Sequence, residues 1–173
     1  MTRALPLLAL LLSVAAHAAA VTGAERFFDQ TLGDFSEELE NAREQGKQGI
    51  LIMFEMEECP FCHRMKTQVL NRPEVQDYFH RHFLIFPVDI EGDVDMIDFK
   101  GREVTQKAFA FRQYRVRATP VFAFFDLDGK LITRYTGATR DAEEFLLLGR
   151  YVVEGAHHKM PFSRYRRAHR ARR

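Results

Sequence analysis

The sequence predicts one α/β domain in which helices sandwich a mixed central sheet. Its 173 residues suit a single hydrophobic core. Two continuous apolar runs of strand length, 49–56 and 83–90, alternate with helical patterns, as expected for strands that are covered on both faces. A third apolar run, 120–126, is followed by Asp128-Gly129, a strong hairpin signal that adds an antiparallel strand.

Each element follows from a local pattern. A first helix is predicted over 27–45, where Asp34 or Ser36 can cap the start and Gly46 can end it. Pro87 lies inside the second apolar run and indicates a bulge or a sheet edge. A right-handed crossover makes the first two strands parallel. The elements predicted after the first helix are a strand at 49–56, helices at 59–70 and 73–81, a strand at 83–90, a polar loop at 91–102, a helix at 103–114, strands at 120–126 and 130–136, and a helix at 141–153.

The composition excludes several classes of protein. A hydrophobic fraction of 46% with 28% charged residues rules out a wholly disordered, collagen-like or multi-span membrane chain. Two cysteines are too few for a disulfide scaffold or a four-thiolate zinc site. The chain can therefore bury an ordinary core, and its cysteines need another explanation.

The N-terminal 20 residues have the pattern of a secretory signal peptide. Arg3 is followed by an apolar run from Leu5 to about Ala16 and then by small residues. The run is shorter than the roughly 20 residues that a bilayer span needs, although an uncleaved anchor is the alternative. We expect cleavage near Ala18 or Ala20 and a mature chain outside the cytosol, where disulfides persist.

Charge is divided unevenly along the chain. The tail at 157–173 carries seven cations and no acid, whereas 21–156 carries 17 cations against 24 acids, a net charge of −7. The acidic globule excludes a nucleic-acid partner. We expect the tail to be a solvated chain end or a docking segment for an acidic partner or anionic membrane. The predicted organisation is a signal peptide (1–20), an N-terminal helical segment (21–46), the α/β domain (47–156) and a basic C-terminal tail (157–173).

The chemical centre is the motif Cys59-Pro60-Phe61-Cys62. Two cysteines one helical turn apart can approach to disulfide distance. With Cys59 as the N-cap, Pro60 takes the first helical position at no hydrogen-bonding cost. The positive helix N-terminus favours the thiolate of Cys59, which makes it the nucleophile and Cys62 the resolving thiol. The dithiol itself would carry the electrons, so no cofactor is expected.

Charges on both sides of the motif leave the direction of catalysis open. Three acids before it disfavour a thiolate, while three basic residues after it, including His63, favour one. A structural disulfide is an alternative, although so short a loop constrains the unfolded chain little. Metal binding, including copper carriage, is a second alternative. A zinc site would need two further ligands, and His63, His80 and His82 lack a paired CxxC or a spaced HxxxH pattern, so we predict no metal site.

Thr119-Pro120 forms a second candidate element at the start of the third strand. Proline removes a ladder hydrogen bond there, and a cis bond would turn the chain sharply beside the dithiol. Such a turn could expose the Thr119 backbone to an extended substrate strand. An ordinary trans proline is the alternative.

Taken in order, the strand at 49–56, the CPFC helix, Thr119-Pro120 and the Asp128-Gly129 hairpin resemble the thioredoxin superfamily. The resemblance covers about 47–154 and implies a thioredoxin-like fold. Residues 54–83 and 91–130 also look like the exported thioredoxin-like proteins associated with bacterial sulfur oxidation, the SoxW-like group. This resemblance implies a periplasmic location, a cis-proline loop at Thr119-Pro120, an exposed nucleophile at Cys59 and electrons from a membrane donor of the DsbD or CcdA kind.

The motif departs from cytosolic thioredoxin at two positions. Met53 replaces the buried acid six residues before the first cysteine, and Glu58 replaces the usual tryptophan. Protons for Cys62 would then travel through Glu55, Glu57 or water. The favoured function is a thiol–disulfide oxidoreductase that reduces protein disulfides; a copper metallochaperone of the same fold and a DsbA-like oxidase are the alternatives.

Overall fold

The computed structural model describes residues 23–171, so the predicted signal peptide lies outside the described residues. The strands are β1 (Gly49–Glu55), β2 (Phe83–Asp89), β3 (Asp95–Ile97), β4 (Glu103–Thr105), β5 (Val121–Phe125) and β6 (Leu131–Thr136). The helices are α1 (Phe35–Glu44), α2 (Pro60–Met65), α3 (Pro73–His82), α4 (Gln106–Ala108), α5 (Ala142–Val153) and α6 (Phe162–Arg170). Helices α2 and α4 continue as π-helical turns, Lys66–Leu70 and Phe109–Gln113, and 3₁₀ turns occur at Glu25–Phe27 and Ala156–His158.

The four-stranded sheet has the order β2-β1-β5-β6 and confirms the predicted mixed topology. Strand β1 pairs in parallel with β2 and antiparallel with β5, and β5 pairs antiparallel with β6. Pro87 lies on the edge strand β2 with its residue exposed, so its missing N–H costs no ladder bond. Gly129 has a φ of +69° in the β5–β6 turn, which the Asp-Gly pair predicted.

Both faces of the sheet are covered, which explains the continuous apolar runs. Leu51 and Met53 of β1 belong to a core shared with α2, α3 and α5. Ile50, Ile52 and Phe54 alternate with them and belong to a second core shared with α1 and the α4 segment. All five side chains are fully buried, as expected for a central strand between two helical layers.

The first helix is shorter than predicted over 27–45. It begins at Phe35 because the Asp34 carboxylate accepts hydrogen bonds from the N–H groups of Ser36 and Glu37. The chain before it runs beside the free edge of β2, where Asp29 N–H donates to the Ile85 carbonyl and the Asp29 carboxylate accepts from Ile85 N–H. This segment pairs with backbone groups on the open side of the edge strand β2 and does not extend the helix.

The polar stretch 91–102 and the predicted helix 103–114 also differ from expectation. Strands β3 and β4 form a small antiparallel hairpin, and the helix starts only at Gln106, capped by the Thr105 hydroxyl. Asp98 is buried inside the hairpin with only 1% of its surface exposed. Its carboxylate accepts hydrogen bonds from the Arg102 and Gln113 side chains and from the N–H groups of Lys100 and Arg102.

The basic C-terminal segment forms the helix α6 through Arg170, rather than a solvated end. Tyr165 is buried, and its hydroxyl donates to Glu154, the residue that caps the end of α5. Arg166 and Arg170 form ion pairs with Glu144, a buried acid of α5. A buried carboxylate needs such partners, so part of the basic charge is used within the chain.

The helices within residues 23–171 include none with the length and apolar content that a membrane crossing requires.

Replacing Asp98 by Asn should lower the free energy of unfolding by about 1–3 kcal/mol, because a buried charge-assisted network is lost. Burial opposes the charge of Asp98, but the hydrogen bonds from Arg102, Lys100 and Gln113 outweigh it and lower its pKa to about 2. A depressed folded-state pKa stabilises the protein above the ordinary value of 3.8, and this contribution disappears as the pH falls toward 2.

Urea unfolding at pH 7 and pH 3 measures the difference in free energy of unfolding between the wild type and Asp98→Asn. This difference should be smaller at pH 3. Asp93→Asn, at an exposed position of the same segment, is the matched control. Equal stability of the Asp98→Asn and Asp93→Asn variants at pH 7 would contradict this account.

Candidate active site

The dithiol motif forms the first turn of α2, which leaves the sheet after β1 ends. Cys59 is the N-cap with an extended backbone, and Pro60 occupies the first turn, as the sequence predicted. The Cys59 Sγ accepts a hydrogen bond from the Cys62 N–H at 3.0 Å. A backbone donor of the first helical turn therefore points at this sulfur, and the same geometry would stabilise its thiolate.

Cys59 and Cys62 form a disulfide with a Cα–Cα distance of 5.2 Å. The resemblance to thioredoxins implies an exposed nucleophile, but Cys59 is only 6% exposed and Cys62 3%. Both belong to the core on the α2 side of the sheet, where Met56 packs at the margin. In the oxidised form, both sulfurs are therefore largely covered, and the two cysteines line one side of an opening.

That opening is a cleft of about 440 Å³, which we call the dithiol cleft. Its lining consists of Glu55, Met56, Glu57, Cys59, Cys62, His63, Lys66 and Asp89. Lys66 Nζ contacts both carboxylate oxygens of Glu55, at 2.6 and 2.8 Å. This ion pair leaves Glu57 and Asp89 without a compensating lysine or arginine in the lining, so the lining is acidic.

The loop before α5 holds the active-site helix in place. The Arg64 guanidinium donates to the Thr139 carbonyl at 2.7 Å. The Thr139 hydroxyl is fully buried and contacts the Met65 sulfur at 3.6 Å. These contacts lie on consecutive residues of α2, and they fix its orientation independently of the disulfide.

Thr119-Pro120 is a cis peptide bond and lies at the same edge of the sheet as the dithiol. Val121, the next residue, pairs with Phe54 near the end of β1. The Pro120 carbonyl accepts from Gly137 N–H, which anchors the turn to the end of β6. The strand register thus brings the two predicted motifs to one end of the molecule.

The remaining predicted residues fall into two groups. Phe61 is 60% exposed beside the disulfide, and His63 is exposed in the cleft lining. His80 and His82 lie on α3 outside this lining, and His80 contacts the Phe27 carbonyl instead. Among residues 23–171, no group of three or more His, Cys, Asp or Glu side chains is arranged to hold a metal ion.

Sequence reasoning missed Asp89 as part of the site. It is the last residue of β2 and pairs in register with Glu55 at the end of β1. The parallel pairing of the two predicted strands contained this information, because their carboxyl ends must meet at one edge. Met53, the position where thioredoxins place an acid, is fully buried in the core.

Residues 35–153 match the family model of the thioredoxin-like domain. The chain belongs to the thioredoxin-like domain family. The family and the Cys59–Cys62 pair together identify this thioredoxin-like protein as a thiol–disulfide oxidoreductase. No curated protein shows a significant match.

Solved structures give the same fold. A thioredoxin-fold protein from Helicobacter pylori is 21% identical with a TM-score of 0.64, covering 84% of this chain and 92% of its own. A candidate disulphide-isomerase from Bacteroides thetaiotaomicron is 28% identical with a TM-score of 0.56, covering 73% and 92%. A thioredoxin from Thermus thermophilus is 27% identical with a TM-score of 0.54, covering 69% and 84%.

Replacing Glu55 and replacing Lys66, one at a time, should change the reactivity of the Cys59 thiol in opposite directions. Glu55→Gln removes the carboxylate that pairs with Lys66 and makes the dithiol cleft less negative, which should lower the apparent pKa of the Cys59 thiol. Lys66→Met leaves the carboxylate and should raise it. At pH 7 we expect alkylation of Cys59 to change by about two- to five-fold in each direction.

The pH profile of iodoacetamide alkylation of the reduced protein measures this effect. Lys130→Met, in the turn at the opposite edge of the sheet, is the control and should follow the wild type. Shifts of the same sign in both cleft variants would show that the pair does not act electrostatically on the dithiol.

Proposed function

We propose that this protein reduces disulfide bonds in exported client proteins, with Cys59 as nucleophile and Cys62 as resolving thiol. Thiol–disulfide exchange follows from the family and the cysteine pair. The thioredoxin and the candidate disulphide-isomerase, both more than 25% identical, support this class of activity. The reducing direction rests on the charge of the cleft.

The acidic lining of the dithiol cleft is the observation that carries the direction. An oxidase such as DsbA is a strong oxidant because its reduced form is stabilised. Here Glu57 and Asp89 line the same cleft as the two cysteines, and the only lysine of the lining is neutralised by Glu55. Negative charge disfavours a thiolate and therefore disfavours the reduced form, which makes the pair a better electron donor.

The proposed reaction transfers two electrons to the client. The Cys59 thiolate attacks one sulfur of the client disulfide; that bond breaks and a mixed disulfide forms, while the client's other sulfur leaves as a thiolate and takes a proton. Cys62, losing its proton to the cleft or to water, then attacks Cys59. The Cys59–Cys62 bond forms as the bond between Cys59 and the client breaks, the released client thiolate takes a proton, and the client leaves with both cysteines reduced.

We also propose supporting roles for the residues around the pair. Pro60 sets the first turn of α2, and exposed Phe61 offers apolar surface to a client. His63 tunes the charge of the cleft. The Thr119 backbone, next to the cis bond, pairs with an extended client segment.

The location and partners are proposals that rest on the sequence. We propose a periplasmic protein of the SoxW-like group, linked to sulfur oxidation and re-reduced by a membrane donor of the DsbD or CcdA kind. The exposed Arg164 and Arg167 of α6 are the side chains of the basic segment that would contact an acidic partner or anionic membrane.

Replacing each cysteine separately should divide the reaction into its two steps. Cys59→Ser should abolish insulin-disulfide reduction with dithiothreitol, because the attacking sulfur is gone. Cys62→Ser should accumulate mixed disulfides with clients, visible on non-reducing gels of periplasmic extracts. Wild-type rates for Cys59→Ser would refute the assignment of the nucleophile, and an absence of mixed disulfides for Cys62→Ser would refute the resolving role.

The reduction potential tests the direction. Equilibration with glutathione should give a value near or below about −270 mV, as for thioredoxin, whereas about −120 mV would indicate a DsbA-like oxidase. Glu57→Gln should raise the potential because it removes negative charge from the cleft. Asp77→Asn, exposed on α3, is the control that should leave the potential unchanged.

A further inference from the structure

A second cleft lies at the end of the sheet that carries the dithiol, on the face of the sheet opposite to α2. It measures about 860 Å³, and we call it the cationic cleft. Its lining consists of Ile90, Glu91, Thr105, Lys107, Ala108, Phe111, Arg112, Val116 and Arg117. Lys107, Arg112 and Arg117 face the single acid Glu91, so the lining is basic.

Two connections place the cationic cleft next to the dithiol cleft. Ile90 N–H donates to the Glu55 carbonyl at 2.8 Å, so the cationic cleft starts where β1 ends. Asp89 lines one cleft and the adjacent Ile90 lines the other. Arg117, another lining residue, precedes the cis bond Thr119-Pro120 by two residues.

The cations of this cleft are not paired with acidic side chains in the salt bridges found among the described residues. Lys107, Arg112 and Arg117 are exposed, and the salt bridges found among residues 23–171 involve none of them. Phe111 is 51% exposed, and the Arg117 guanidinium lies 5.4 Å from its ring centre. An exposed aromatic ring under an arginine presents apolar surface and positive charge together.

We propose that the cationic cleft binds an acidic stretch of the client next to the cysteine that Cys59 attacks, with an apolar client side chain on Phe111. This inference rests on the proposed function and adds the chemistry of the client. The dithiol cleft is acidic, so the client's negative charges belong on one side of its cysteine only. Charge complementarity thereby selects both the client and its direction along the edge of the sheet.

Three synthetic peptides test the proposal, each closed by one disulfide and each containing leucine. They carry aspartates before the first cysteine, aspartates after the second cysteine, or serines at both places. Reduced protein is mixed with each peptide in single-turnover experiments at low ionic strength. One aspartate peptide should react about 5- to 20-fold faster than the serine peptide, and this ratio should fall toward one in about 0.5 M salt.

Charge reversal locates the effect. The double variant Arg112→Glu/Arg117→Glu should lose the preference or invert it, judged by the ratio of rates within the variant. The control variant Lys100→Glu/Lys130→Glu makes the same charge change on two exposed lysines. Lys130 lies in the β5–β6 turn, at the end of the sheet opposite to the dithiol. Lys100 follows Phe99, which packs against that turn. This control should keep the wild-type ratio.

The possible outcomes distinguish a failure of this inference from a failure of the proposed reductase function. If all three peptides are reduced at equal rates, the cationic cleft does not select clients, and the reductase proposal stands. An equal loss of preference in both double variants would also overturn the inference, since the effect would come from net charge. If the reduced protein transfers electrons to none of the peptides, both the reductase proposal and the inference are wrong. The salt dependence uses the unmodified protein and needs no variant to fold.

Discussion

The pairing of β1 with both of its neighbours determines where the chemistry occurs. Because β1 runs parallel to β2 and antiparallel to β5, the ends of β1 and β2 and the start of β5 meet at one edge. The dithiol helix, Asp89 and the cis bond Thr119-Pro120 all lie at this end of the sheet. At the opposite end the register is fixed by close approach, since a Cβ on Gly49 would lie 1.9 Å from the Phe125 carbonyl oxygen.

Because β1 is buried on both faces, its charged residue lies at the end of the strand. Met53 occupies the core position at which thioredoxins place an acid, and the first acid of the strand is Glu55, partly exposed and paired with Lys66. An isolated buried carboxylate would carry a large desolvation cost, which an ion pair at the surface avoids. The acids that line a cleft together with Cys62 are therefore Glu55, Glu57 and Asp89, and the core position holds the apolar Met53.

The sequence patterns predicted the layers, the mixed sheet and the dithiol turn, because each depends on long apolar runs, a hairpin signal or a local cap. Thr119-Pro120 could be marked as a special position, but proline at a strand start allows both isomers. The β3–β4 hairpin was missed since three-residue strands leave too little alternation to detect. Helix α6 was missed for another reason: its anchor, the buried Glu144, lies on a different helix and acts through tertiary contacts.

The cationic and dithiol clefts share no lining residue, although Asp89 and Ile90 are neighbours in sequence. This separation has a physical consequence. Charges within a few ångströms of the sulfurs act on the thiolate and so on the redox balance, whereas solvated charges across β2 are screened within about 10 Å at moderate salt. The redox chemistry and the choice of client can therefore be adjusted separately. A single cleft with both functions would require each charge to satisfy the reaction and the client together.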